Sequence, residues 1–294
     1  MQRVFIGAGA ASDAHDVLQA RRNKMLIVDA QVHIWTSGTP VHIHRQVSHY
    51  TQDEALRDMD EAGVRAVLLH PPSWDPNANE VAIEAARAHP DRFAILGFFD
   101  VADPSRRSVL DTWRQQPGML GLRFAMLKPA EANWLADGTM DWLWPAAERA
   151  GLAVGLLVPN RLPKVAEIAS RHPGLKLLID HMARPRGSAD DAGWADIGEL
   201  LALAKYPNVA IKATGSPSYS TDPYPYRNIH KYLQQIFDAF GPQRMFWGTD
   251  ITRMPCTWRQ CVTMFTEELP WLKGKNLELV MGRALCDWID WNLR

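Results

Sequence analysis

The sequence predicts an α/β protein, a single (β/α)8 or TIM barrel over residues 25–294, and three observations predict it. Eight short, β-rich apolar runs alternate with segments whose apolar residues recur at helical spacing, as repeated βα units require. The runs are continuously apolar, as in parallel strands covered on both faces. Residues with acid, base or ligand character stand where most of the runs stop, the end at which such barrels carry their chemistry.

The composition is consistent with this. A chain of 294 residues, 47% hydrophobic and 22% charged, can bury one large core. It has no apolar stretch long enough to span a bilayer. Lys plus Arg number 32 against 33 Asp plus Glu, which leaves no field to recruit nucleic acid or an anionic membrane. The expected partner is therefore a small-molecule substrate, and the Trp-rich end "CDWIDWNLR" leaves a homo-oligomer open. Cys256, Cys261 and Cys286 form neither a Cys-x-x-Cys motif nor a disulfide framework, which points to a reducing, cytoplasmic setting. Residues 1–24 lack the apolar core and cleavage site of a secretory signal and read as an N-terminal extension.

In chain order, strand one is "LIVDA" (26–30), within "MLIVDAQVHIW", and its end offers Gln31 and His33. The loop after it, "PVHIHRQVSHY", holds His42, His44 and His49, but no strand orients them and no metal is expected there. The helical segment "TQDEALRDMDEAG" leads to strand two, "RAVLLH" (65–70), which ends at His70. Trp35 and Trp74, after strands one and two, read as walls for a flat or ring-shaped substrate. "NEVAIEAARAHP" is the next helix and "FAILGFFD" (93–100) strand three, ending at Asp100. "SRRSVLDTWRQQ" is helical, and strand four, "LGLRFAM" (120–126), carries Arg123, costly inside a barrel unless it meets an ion pair or a substrate anion. "MDWLWPAAERAG" precedes strand five, "LAVGLLV" (152–158), and "RLPKVAEIASRHP" precedes strand six, "LKLLID" (175–180). Strand six ends in Asp180 and His181. Side chains alternate along a strand, so Asp180 is expected to point away from His181. Arg184 then opens the loop as a clamp for a substrate carboxylate. Strand seven, "NVAIKAT" (208–214), carries Lys212, and strand eight, "RMFWGTD" (244–250), ends at Asp250, a general base or a helix cap. "CTWRQCVTMFTEEL" is the eighth helix and residues 275–291 a terminal one.

The assembled motifs resemble the amidohydrolase superfamily, in particular the amidohydrolase-2 group with its sugar lactonases and pyrone dicarboxylate and muconolactone hydrolases. The likeness rests on "IVDAQVHIW", "GLRF", "LLIDHMARP", "NVAIKATG" and "RMFWGTD", in the family's order. It implies a hydrolase in which Asp250, His181 and His33 activate water against a carbonyl or an equally electrophilic ring carbon. Gln31 stands where the family has the first histidine of Asp-x-His-x-His, and strand five supplies neither His nor Glu. An amide is a poor zinc ligand. The expected site therefore holds no tight metal: Gln31 bonds substrate or water, and His33, His181 and Arg123 polarise the electrophile. The alternative is a single divalent ion, zinc or manganese, on His33, His181 and Asp250. The expected reaction is hydrolysis of a lactone or similarly activated cyclic molecule, with Arg123, Arg184, His70 and Lys212 around the substrate. Displacement of amine or nitrite from a heteroaromatic ring, and metal-dependent decarboxylation of an aromatic acid, are the alternatives.

Overall fold

Every apolar run becomes a strand. The computed structural model describes residues 25–128, 131 and 133–293; the extension expected over residues 1–24 lies outside them. The strands are β1 (Val28–Val32), β2 (Ala66–Leu69), β3 (Phe93–Gly97), β4 (Met119–Ala125), β5 (Ala153–Leu157), β6 (Leu177–Ile179), β7 (Val209–Thr214) and β8 (Met245–Gly248). They form one sheet in sequential order, each pairing in parallel with the next.

The helices that cover the sheet follow the predicted periodicity: α1 (Gln52–Ala62), α2 (Ala78–Ala88), α3 (Leu143–Arg149), α4 (Leu162–Arg171), α5 (His230–Phe240), α6 (Trp258–Thr266) and α7 (Ala284–Ile289). Two expectations are corrected. The segment after β3 is a 3-10 helix over Pro104–Gln115 that buries only Leu110 and Trp113, too sparse an apolar face to hold a long α-helix against the barrel. The terminal helix breaks at Gly282, whose backbone is extended and whose Cα lies so close to β1 that an added Cβ would meet Leu26 O at 2.8 Å.

The core has two parts. Side chains on one face of the strands, among them Ala30, Leu68, Leu96, Leu178 and Phe246, form a cluster shared with Leu285 and Ile289 of α7. The other face packs under the helices in a larger cluster that includes Val67, Ile95, Val154, Ile211 and Trp247. No described helix is long and apolar enough to cross a membrane.

Asp29 closes the barrel. It sits in β1, buried, where a lone carboxylate would be costly. Its Oδ1 accepts from the Gln31 amide at 2.9 Å and the Thr249 amide at 2.8 Å; its Oδ2 accepts from Thr249 Oγ1 at 2.5 Å and Trp258 Nε1 at 2.9 Å. The Asp250 amide donates to Gln31 O at 2.8 Å beside it. One side chain thus ties β1, the end of β8 and the first turn of α6 together. Gly248 is obligatory next to it, because a Cβ there would lie 2.8 Å from Asp29 Oδ1 and 2.7 Å from Ala30 N. Burial raises the Asp29 pKa to about 7 against the pull of these donors.

Trp258→Phe keeps the ring and removes one donor. At pH 8, where Asp29 is ionised, it is expected to lower the unfolding free energy by about 2 kcal/mol, read from urea denaturation at unchanged m-value. A loss under about 0.5 kcal/mol would mean the carboxylate is satisfied without the indole.

Candidate active site

The floor of the site is organised by one buried ammonium. Lys212 lies inside the barrel with no solvent contact; its Nζ donates to Gln31 Oε1 and to Asp180 Oδ1 at 2.7 Å, and lies 3.0 Å from His70 Nε2. His70 Nε2 also lies 3.1 Å from Ala30 O, so it sits between the lysine and a backbone carbonyl, while Nδ1 is buried without a hydrogen-bond partner among the described residues. Burial and the neighbouring ammonium hold His70 well below its ordinary range, so it is neutral. Asp180 Oδ2 accepts from Arg123 Nε at 2.9 Å. Burial would raise the Asp180 carboxyl, but Lys212 and Arg123 hold it well below the usual carboxylate range.

Asp180 therefore points into the barrel, together with His181. This corrects the expectation that the two face opposite ways. Alternation holds only in extended backbone, and the chain leaves it at once: His181, Met182 and Ala183 all have positive φ, of 51°, 55° and 55°. The same device operates at Asp250, with φ 58° and ψ 49° at the end of β8.

The two histidines facing Asp250 have opposite polarity. His33 Nδ1 lies 2.5 Å from His70 O, a carbonyl that can only accept, so Nδ1 carries the hydrogen and Nε2 a bare lone pair, 3.4 Å from Asp250 Oδ1. His181 Nδ1 is met by Arg253 Nη2 at 3.2 Å and Thr214 Oγ1 at 2.7 Å. A guanidinium can only donate, and its contact is shorter than that of Nδ1 to Thr214 O, at 3.4 Å; Nδ1 is therefore assigned as the acceptor, which turns the N–H at Nε2 towards Asp250 Oδ2 at 3.6 Å. Burial lowers the pKa of both rings and keeps them neutral.

Asp250 is the third party. Its Oδ2 accepts from Arg253 Nε at 2.6 Å, while its Oδ1 is buried without a hydrogen-bond partner among the described residues. Burial would raise its pKa, but the surrounding His33, Arg253 and His44 pull it well below the ordinary carboxylate range. His44 enters here against expectation. The loop after β1 docks on the loop after β8, with Arg45 N donating to Thr252 O at 2.7 Å and His44 Nδ1 lying 2.8 Å from Thr252 Oγ1. His44 is thereby buried 4.0 Å from Asp250 Oδ1, while His42 and His49 stay exposed. Burial lowers the His44 pKa to about 3.

This bears on the expected metal ligands. His33, His44 and Asp250 bring one ligand atom each within 4.8 Å of one another, and the unpartnered Asp250 Oδ1 with the bare His33 Nε2 suits a divalent cation. The donor set fits such an ion with His44, not His181, as third ligand, because His181 turns a hydrogen towards the site.

A cavity of about 650 Å³ opens above these groups. His33, His44, His181, Asp250 and Arg123 line it, with Trp74 on the wall. Gln31, His70 and Lys212 are not among its lining residues; bonded to one another, they support the floor from below. Trp35 does not wall it either. It is buried behind Trp74, edge to face with ring centroids 5.5 Å apart, and its Nε1 donates to Val47 O. Arg184 is not a clamp at the mouth: it is buried over Trp194, bonded to Asp196 and to the carbonyls of Met182 and Gly193. The arginine of this loop that reaches the cavity is Arg186, two residues on, exposed and without a hydrogen bond or ion pair among the described residues. Arg186 and Arg253 escaped the sequence reading. The signal for Arg253 was its place three residues after Asp250 in "DITR".

The family described as Amidohydrolase matches residues 28–258. L-fucono-1,5-lactonase from Burkholderia ambifaria is 28% identical over 160 residues, 53% of this chain and 54% of that protein, so the match spans about half the relative's length. Among solved structures, an amidohydrolase from Burkholderia multivorans with bound zinc has a TM-score of 0.78 at 19% identity, covering 91% of this chain and 100% of that one. A probable 2-pyrone-4,6-dicarboxylic acid hydrolase from Acinetobacter baumannii with citric acid bound has 0.70 at 17% identity, covering 90% and 100%. At these identities the two structures share the fold.

The neutral imidazoles make stability pH-dependent. His33, His44, His70 and His181 all have folded pKa values below 6.5, so their stabilisation is present above 6.5 and is lost as pH falls and the unfolded chain takes up protons first. Asp29, raised from 3.8 to about 7, runs the other way over that interval and offsets one of the four. Chelator-treated protein is therefore expected to show falling urea midpoints from pH 7.5 to 5.5. Flat or rising midpoints would mean that the imidazoles are charged in the folded protein.

Proposed function

Because the chain belongs to the Amidohydrolase family over residues 28–258, we propose that it hydrolyses a lactone that carries a carboxylate. The observation that carries this reading is the polarity around Asp250: acceptors on one side, at Asp250 Oδ1 and His33 Nε2, and a donor on the other, at His181 Nε2. A water between the two acceptors is held with a lone pair towards the cavity and loses a proton as it attacks the ring carbonyl. Asp250, held ionised by Arg253, orients the water, and His33, the intrinsically stronger base, keeps the proton. The oxyanion that forms meets the His181 N–H and the Arg123 guanidinium, dipoles already in place. The ring C–O bond then breaks, the leaving alkoxide takes the proton back from His33, and the product is a hydroxy acid.

The carboxylate is assigned from the arginines. Among the described residues Arg186 has no hydrogen bond or ion pair of its own, and Arg123 spends only its Nε, on Asp180; a planar carboxylate satisfies such guanidinium edges. The names of the similar proteins support the class: an L-fucono-1,5-lactonase among the relatives, and a probable 2-pyrone-4,6-dicarboxylic acid hydrolase with citric acid bound among the structures. A zinc ion on His33, His44 and Asp250 would add Lewis-acid polarisation of the carbonyl and a more acidic bound water; the roles of Arg123, Arg186 and His181 would be unchanged. Displacement from a heteroaromatic ring loses one of its two supports, since of Trp35 and Trp74 only Trp74 reaches the cavity.

Asp250→Asn is expected to lower kcat for lactone opening by about 10³-fold with an unchanged circular dichroism spectrum, and the wild type to keep turnover after dialysis against EDTA. Substantial activity in the variant would remove Asp250 from the mechanism; activity lost on chelation and restored by zinc would move catalysis to an ion. Arg186→Met is expected to raise KM for a carboxylate-bearing lactone by about 10- to 100-fold while leaving a neutral lactone unaffected. Arg184→Met should lower thermal stability instead. Equal KM effects on both lactones would end the assignment of Arg186 to the carboxylate.

A further inference from the structure

Two cysteines stand together at the start of α6. Thr257 caps this helix: its Oγ1 accepts from Gln260 N at 3.2 Å, and Gln260 Oε1 accepts from Thr257 N at 3.0 Å. In such a capping box, the residue before the cap and the fourth residue of the helix pack against each other as an apolar staple. Here those residues are Cys256 and Cys261, with Sγ atoms 3.4 Å apart. A disulfide needs the sulfurs at about 2.05 Å, so they must close by about 1.4 Å. The capping box already holds both residues in place.

From this geometry we infer that Cys256 and Cys261 form a redox-active dithiol, a site of reversible oxidation by peroxide, with Cys256 attacking and Cys261 resolving. Accessibility divides the roles: Cys256 is partly exposed between exposed Pro255 and Thr257, and Cys261 is buried. The local chemistry agrees. The Cys261 thiol, with help from the Tyr226 hydroxyl, lowers the Cys256 pKa to about 7, against burial. Cys286, buried and pushed up to about 12 by desolvation, lacks a partner thiol and stays inert.

The steps balance. The Cys256 thiolate attacks one oxygen of hydrogen peroxide and becomes a sulfenic acid, releasing water after uptake of a proton. The Cys261 sulfur then attacks the Cys256 sulfur and expels the second oxygen as water. Two thiols lose two electrons, and one peroxide becomes two waters. The bond ties the loop that carries Asp250 and Arg253 to the helix that holds Asp29 through Trp258, and the Trp247 indole, bonded to Cys261 O at 3.2 Å, holds that helix in turn.

The test is made on the full chain. Reduced protein is treated with a small excess of hydrogen peroxide, alkylated and digested with trypsin, which cleaves after Arg253 and Arg259. Peptide 254–259 joined to peptide 260–273, short of two hydrogens, is expected to form at least about tenfold faster than Cys286 is oxidised, and dithiothreitol should reverse it. In Cys261→Ser, Cys256 is expected to stop at a sulfenic acid that dimedone traps. Sulfinic or sulfonic acid at Cys256 in the wild type without the joined peptides, oxidation of Cys286 at a comparable rate, or both thiols fully alkylated after peroxide would each overturn the inference.

Discussion

An ammonium with no access to water must be surrounded by acceptors, and the Lys212 Nζ imposes this on the centre of the barrel. Three strands answer it: β1 with the Gln31 side-chain oxygen, β2 with the His70 ring at its end, and β6 with Asp180 at its end. A neutral amide at position 31 suits this cation, because its oxygen accepts without adding a charge; its Nε2 is buried without a hydrogen-bond partner among the described residues. Arg123 adds a further positive charge on the far oxygen of Asp180. The floor is a ladder of alternating charges in which each rung fixes its neighbour's orientation, and breaking one would leave a buried ion uncompensated.

The reactive groups inherit their orientation from that floor. His70, kept neutral by burial and by Lys212, offers the backbone carbonyl that fixes the His33 tautomer. Asp180, turned inward to meet Lys212, requires the chain to leave the strand immediately, and this places His181 against Thr214 and Arg253. Two imidazoles of like chemistry thus become an acceptor and a donor on opposite sides of one carboxylate. The distinction comes from what touches each ring's outer nitrogen.

Eight strands were legible because a parallel barrel strand is apolar on both faces and stops at a polar residue, a pattern local in sequence. The candidate acid, base and ligand residues were legible for the same reason: His33, His181 and Asp250 stand at the ends of apolar runs. What escaped depends on contacts between distant segments. His44 is buried only because the first loop docks on Thr252, 208 residues away. Arg184 and Arg186 sit in one short stretch, and the choice between them was made by Asp196 and Trp194, which capture the first. The inward turn of Asp180 was hidden because no glycine marks the left-handed backbone that follows it.

That left-handed run also sets where the molecule can be re-engineered. Three consecutive residues with side chains occupy a conformation that costs each of them roughly 1 kcal/mol or more, held by the fixed partners of His181 on β7 and the loop after β8. A transplanted loop that begins at the geometric end of β6 would replace this run with ordinary extended backbone and swing position 181 out of the barrel. The usable seam lies after Ala183, where Arg184 returns to φ −69° and ψ 137°. Specificity loops can be exchanged from that point onward while the three residues before it stay with the scaffold.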